Sequence, residues 1–227
     1  MVTAVSPVLS VSGLAKAVPG GRQLFASLGL AVVPGEVVAI MGESGVGKST
    51  LLNLVAGLDT ADAGRIAIDG RDLATLDDEA RTRLRRDRIG FVFQAFHILP
   101  HLSLAQNIAL PLVLAQVPAT VALPRALAML DKVGLGGRGG DYPAQLSGGE
   151  MQRIAIARAL VHAPALILAD EPTGNLDPET ATRILELFIE KTRGSGAGTV
   201  IVTHSDRAAA AADRVLVLGP AGLVSQT

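Results

Sequence analysis

The chain has 227 residues, 49% hydrophobic and 18% charged, with a formal net charge of −1 and no cysteine. This composition supports a sizeable core, as one large domain or a core with a subdomain, and excludes a disordered chain, disulfides and thiolate metal sites. The near-neutral balance gives no global reason to expect nucleic acid or an anionic membrane surface as a partner.

Met1-Val2-Thr3-Ala4-Val5-Ser6 places no basic segment ahead of an apolar one, so no secretory signal is expected. Residues 8–14 alternate like a strand, Pro19-Gly20-Gly21 marks a turn, and 25–33 reads as a second strand closed by Pro34-Gly35. The apolar run 37–41 is a buried strand. It leads into Gly42-Glu43-Ser44-Gly45-Val46-Gly47-Lys48-Ser49, which spells G-x-x-x-x-G-K-[ST], and the helix that follows Lys48 ends near Gly57. A strand, a glycine-rich loop and a helix in that order make a phosphate cradle. Backbone N–H groups converge on one anion, and the helix N-terminus adds partial positive charge. Lys48 is placed to reach the β- and γ-phosphates, and the Ser49 hydroxyl to ligate magnesium.

Residues 65–68 read as a short strand and Asp69-Gly70 as a hairpin turn. Thr75 with Asp78 fits a capping box for a helix through Arg86. Arg81, Arg83, Arg85, Arg86 and Arg88 form a basic run that no aromatic residue interleaves and that Asp77, Asp78, Glu79 and Asp87 offset, so a solvated helix face is expected. Residues 89–93 form a buried strand ending at Gln94. From 95 to 160 the pattern is helical and broken by prolines, with helices at 103–114 and 122–133 and a loop at 134–140. The longest apolar stretch, 108–123, is interrupted by Pro111, Gln116 and Pro118, so no membrane span is expected. The mean hydropathy of +0.42 leaves room for an apolar docking surface, although alanine and valine richness accounts for it equally.

After Pro164 strands and helices alternate: strand 166–169, helix 178–193, strand 199–202 and a last buried strand 214–218. Such alternation argues an α/β fold with a parallel sheet flanked by helices. Asp170 and Glu171 close an apolar strand, and ligands of such sheets sit at the carboxyl ends of strands. Asp170 is then placed to hold magnesium and Glu171 to polarise an attacking water. Leu146-Ser147-Gly148-Gly149-Glu150 opens the helix running to Leu160. Ser147 and Glu150 fit a capping box, and the two glycines, the hydroxyl and the helix N-terminus also make a second anion site. One nucleotide does not need two such sites from one chain. A dimer in which each chain covers its partner's phosphates satisfies both.

Taken together these stretches resemble an ATP-binding-cassette ATPase, the nucleotide-binding subunit of an ABC transporter, over nearly the whole chain. Residues 42–50 match its Walker A, Gln94 its Q-loop, 146–150 its signature motif, 167–171 its Walker B, Asn175-Leu176-Asp177 its D-loop and His204 its switch histidine. The resemblance implies a P-loop NTPase core with a parallel sheet flanked by helices, a small antiparallel β subdomain and an inserted α-helical subdomain. Residues 1–94 and 161–227 would form the nucleotide-binding core and 95–160 the helical part. It implies ATP and Mg2+ as ligands. Gln94 would ligate the metal, Ser147 and Gly149 would contact the γ-phosphate across the dimer, Asp177 would report the partner's site and also N-cap the helix from Pro178, and His204 would hold the γ-phosphate. The family's adenine-stacking aromatic has no counterpart in Leu14-Ala15-Lys16-Ala17-Val18. Val18 is expected to supply an apolar contact instead, with more of the ATP affinity falling on 42–50. Residues 93–100 and 169–177 are similar to the branch holding the lipoprotein-releasing ATPase, macrolide-exporter cassettes and the cell-division cassette. The expected partners are a second copy of the chain and an integral membrane permease docked on 96–114 at the cytoplasmic face of the inner membrane, with no nucleic acid. The competing expectation is a nucleotide-switched structural cassette of the cell-division type that hydrolyses slowly.

Overall fold

The computed structural model describes residues 5–18 and 20–225. The expectations for Met1 to Ala4 and for Pro19 fall outside that range. Strand β1 (Leu9–Ala17) runs three residues past the expected 8–14, and β2 (Gln23–Val32) starts two residues before the expected 25–33 and ends one short of it. β1 stays paired past residue 14 because its register shifts between Val11 and Leu14, where Gly13 sits at φ 59° and lets the strand bulge. β3 (Val37–Met41) is followed by the loop and by α1 (Lys48–Val55).

β4 (Ala63–Ile68) and β5 (Arg71–Asp72) are joined by Asp69-Gly70, with φ 51° and 75°, the paired left-handed geometry that a tight hairpin needs. Helix α2 (Asp78–Arg88) is capped by Asp77, whose carboxylate accepts from the Ala80 N–H at 2.7 Å. The Thr75–Asp78 box expected there does not form. Thr75 closes a 3-10 turn (Leu73–Thr75), and its hydroxyl donates to the Asp72 carbonyl instead. The arginines of α2 are spent within the chain: Arg83 on Glu79, Arg86 on Asp87, Arg88 on Asp69 and Arg85 on the Gly57 carbonyl.

β6 (Ile89–Phe93) enters three helices, α3 (Leu104–Leu114), α4 (Ala119–Lys132) and α5 (Gly148–Leu160). α4 starts three residues before the expected 122. Then come β7 (Leu166–Asp170), α6 (Pro178–Ser195), β8 (Gly198–Val202), α7 (Asp206–Ala210), β9 (Arg214–Gly219) and β10 (Gly222–Ser225). The strand 214–218 is therefore not the last. β10 pairs with β9 antiparallel at the sheet edge, and only alternate residues of β9 are buried.

Two sheets result: a four-stranded antiparallel one in the order β2-β1-β4-β5, and a six-stranded one in the order β10-β9-β3-β8-β7-β6 that is parallel except for β10. Its central strands are buried on both faces, which is why they read as unbroken apolar runs. Along β7, Leu166 and Leu168 face the core shared with α1 and the antiparallel sheet, while Ile167 and Ala169 face α5 and α6. A third core, built on Leu104, Ile108, Ala126, Leu130 and Ile154, holds α3, α4 and α5 together. Among the described residues no helix is long and apolar enough to cross a membrane.

Candidate active site

The registers of the parallel sheet set the site. Ile40 and Asp170 both pair with Val202, and Phe93 pairs with Asp170. The carboxyl ends of β3, β6, β7 and β8 are thereby level, and the segments leaving them share one edge. One pocket at that edge is lined by Ser44, Gly45, Gly47, Lys48, Ser49 and Thr50 from the loop, and by Gln94, Asp170, Glu171 and His204 from the other strand ends.

The loop's shape depends on two glycines. Gly42 has φ 153°, and a Cβ there would lie 2.8 Å from the Leu218 carbonyl oxygen; Gly47 has φ 110°, with Leu24 and Phe25 packed beneath it. Gly47 is also the N-cap of α1 and brings no side-chain cap, whereas Asp77, Ser103, Ser147, Asp177 and Ser205 each cap their helices with an oxygen. The first N–H groups of α1 are left for an external anion. Lys48 is buried and its ammonium donates to the Gly42 carbonyl at 2.7 Å, to the Glu43 carbonyl at 3.0 Å and to His204 Nε2 at 3.2 Å. Burial lowers its pKa from the ordinary lysine value, and the charges of Glu171 and Asp170 oppose that shift.

Glu171 follows β7 with φ 47°, a left-handed conformation costly for a side-chain-bearing residue and common where a reactive group is re-aimed. Its Oε2 accepts from the Thr203 hydroxyl at 3.2 Å and from the His204 N–H at 3.3 Å. Its Oε1 is buried and has no hydrogen-bond partner. His204 Nε2 comes to 3.5 Å from that oxygen, yet the same nitrogen already accepts from Lys48. A carboxylate held by one oxygen, with the other lone pair set free, is arranged to take a proton from a water.

Gln94 is clamped to the segment after β7: its Nε2 donates to Asn175 Oδ1 at 3.0 Å, and Asn175 Nδ2 donates to the Gln94 carbonyl at 2.9 Å. One amide N–H is thus occupied, the amide nitrogen faces Asn175, and the side-chain oxygen is the ligand atom that Gln94 has to offer a metal. With the Ser49 hydroxyl and the Asp170 carboxylate on the same pocket, the donor set is all oxygen with one carboxylate. That suits magnesium completed by substrate phosphates and water.

The remaining residues expected at the site lie elsewhere in this chain. Gly42, Glu43 and Val46 line a second hollow against Val217 and Leu218, which shares His204 with the first. Ser147, Gly149 and Asp177 are not on the pocket. Ser147 caps α5 in a full capping box with Glu150, whose carboxylate also pairs with Arg138. Gly149 is buried where a Cβ would lie 2.6 Å from Thr180 Cγ2 on α6, and Asp177 caps α6. Val18 does line the pocket, beside Arg22 and Leu24, which sequence reading missed; their signal was the alternation of the strand ends on either side of the turn. Thr203 and Gln152 were also missed. Gln152 is fully buried on α5, and its Nε2 reaches the Pro172 carbonyl at 2.5 Å, just after Glu171.

A phosphate cradle joined to a freed carboxylate and a strand-end histidine defines a P-loop nucleoside-triphosphate hydrolase. The ABC transporter family signature matches residues 25–174. The chain is 46% identical over 215 residues to the ATP-binding protein LolD 2 of the lipoprotein-releasing system of Caulobacter vibrioides, covering 93% of this chain and 94% of that protein. It is 44% identical over 225 residues to its counterpart in Ruegeria pomeroyi, covering 97% and 99%. In structure it is similar to the dimeric ATP-binding cassette MJ0796 solved in a post-hydrolysis state with ADP and Pi, with TM-score 0.81, 36% identity and coverage of 95% and 96%. The chain belongs to the ABC transporter family, as an ATP-binding cassette with ATPase activity.

Proposed function

We propose that this cassette is the ATPase subunit of a lipoprotein-releasing transporter. It would dimerise head to tail around two ATP molecules and drive an integral membrane permease from the cytoplasmic face of the inner membrane. The observation that carries the reading is the pocket joining Ser44, Gly45 and residues 47–50 of the loop with Gln94, Asp170, Glu171 and His204. Identities of 44–46% over nearly the full length of lipoprotein-releasing proteins support cargo release over a slow structural cassette.

In this reading Lys48 leaves the Gly42 and Glu43 carbonyls and turns its ammonium to the β- and γ-phosphates. The uncapped N–H groups of α1 hold the anion from below. Ser49, Asp170 and Gln94 would hold Mg2+, which when bound neutralises phosphate charge. Glu171 takes the proton of the attacking water through the Oε1 that has no other partner, and His204, released from Lys48, donates to the γ-phosphate. Residues 95–160 act as a helical subdomain that carries Ser147 and Gly149 to the partner's nucleotide.

The groove beside β6 supports a permease docking site. The segment 96–114 divides along its length: Leu104, Ile108 and Leu112 are core, while Leu110, Pro111 and Leu114 open onto a groove with Leu58, Phe91 and Phe93. Leu58 and Leu114 are 58% and 61% exposed and both line that groove, apolar surface open to a partner.

Replacing Glu171 by Gln keeps shape and removes the base. ATP binding is expected to survive while phosphate release falls by at least about a hundredfold. Unchanged steady-state hydrolysis in that variant would overturn the assignment.

A further inference from the structure

We propose that Arg22 is the nucleobase-recognising residue of this cassette, laying its guanidinium plane against the face of the base and so making the site tolerant of which purine it holds. This rests on the reading that phosphates occupy the 42–50 loop. The pocket's lining comes from two parts of the fold. Lys48, Asp170, Glu171 and His204 come from the loop and the strand ends of the parallel sheet, where the terminal phosphate would sit. Val18, Arg22 and Leu24 come from the β1–β2 turn and the start of β2, and are the lining left for a base carried by those phosphates.

The β1–β2 turn brings them to one face. The Val18 N–H donates to the Arg22 carbonyl at 3.0 Å, which makes the two residues neighbours across the turn, and Leu24, the second residue of β2, lines the same pocket. Val18 and Leu24 are apolar and give contact area without a π-face. No aromatic ring apart from the His204 imidazole is among the lining residues. Phe25, one residue further on, is fully buried beneath Gly47 and cannot stack.

Arg22 is the charged group among the three. It is exposed, and its guanidinium makes a single long bond, Nη2 to the Gly45 carbonyl at 3.4 Å, with no carboxylate partner among the described residues. A planar, weakly hydrated cation held this loosely is free to rotate onto a π-face. Every nucleobase offers such a face, so stacking gives affinity without hydrogen-bond readout and discriminates little between adenine and guanine.

Isothermal titration of the full chain with magnesium ADP, magnesium GDP and pyrophosphate tests this. In the parent protein ADP and GDP are expected to bind with similar affinity. Arg22→Ala should weaken both by about two- to fivefold, as a cation–π contact at an exposed site predicts, and leave pyrophosphate unchanged. Adding Val18→Tyr to Arg22→Ala should restore ADP affinity by supplying a ring at the neighbouring position. An equal loss for pyrophosphate would make Arg22 a phosphate ligand and overturn the proposal. So would unaltered ADP binding, or strong preference of the parent for ADP over GDP. Failure of the underlying reading looks different: pyrophosphate would not bind the parent, or Lys48→Ala would not weaken it.

Discussion

At the residue scale the site turns on how one carboxylate is held. Glu171 was legible in the sequence because it ends an apolar strand beside a phosphate loop, and strand ends collect ligands in α/β sheets. Its orientation was not legible, since that depends on a left-handed backbone angle and on Thr203, which arrives from the next strand over. Thr203 is buried, and its hydroxyl both donates to Glu171 Oε2 and accepts from the Ser205 N–H at 3.0 Å. It never touches the nucleotide in the proposed mechanism, so its part is positioning. Thr203→Val keeps the volume and removes both bonds. Hydrolysis by the variant should show kcat lowered about tenfold, or about 1.4 kcal/mol of barrier, with KM little changed. Thr203→Ser should recover the rate. A valine variant that turns over at the parent rate would remove Thr203 from the site.

At the element scale, long periodic segments and caps with a side-chain mechanism could be read from the residues. Asp177-Pro178 opening α6 and the Ser147–Glu150 box opening α5 are examples, because the signal and the structure are the same few atoms. The short α7 and the edge strand β10 could not be read. Each is only about one turn or a few residues long; α7 offers no local signal beyond its Ser205 cap, and packing against neighbours sustains both. Gly149 shows the same limit. Read as a sequence it belongs to an anion nest, but in the fold it is also where α5 approaches α6 too closely for a Cβ. Gly149→Ala would push a methyl into Thr180 Cγ2, 2.6 Å away, and overpacking of that kind costs about 1–3 kcal/mol. Denaturant unfolding should register that loss, and Thr180→Ser, which deletes the opposing methyl, should return it. Alanine keeps the backbone N–H that would face the partner's γ-phosphate. The double variant should therefore also regain hydrolysis. Stability regained without hydrolysis would mean that the bare Cα itself contacts the partner's nucleotide.

At the scale of the whole molecule the pocket of one chain is incomplete for the proposed reaction. The loop, Asp170, Glu171 and His204 line the pocket that would hold the terminal phosphate, while Ser147 and Gly149, at the start of α5, lie off it. MJ0796 was solved as a dimer, and in the head-to-tail dimer proposed for this chain the second chain's α5 start would come to the open side. Mixing two inactive variants tests this directly. Lys48→Ala disables the loop and leaves α5 intact; Ser147→Arg leaves the loop intact and places a bulky cation at the N-terminus of α5. Each alone should be inactive. In a mixed dimer one site carries both defects, but the other joins an intact loop to an intact α5 start. Random pairing makes half the dimers mixed, each with one sound site of two, so hydrolysis should return to about a quarter of the parent's value. A site built within one chain gives no recovery, because no chain in the mixture has both parts. Phosphate release from the two variants, measured separately and then at a 1:1 ratio, separates these outcomes; a mixture no faster than its components would exclude the shared site.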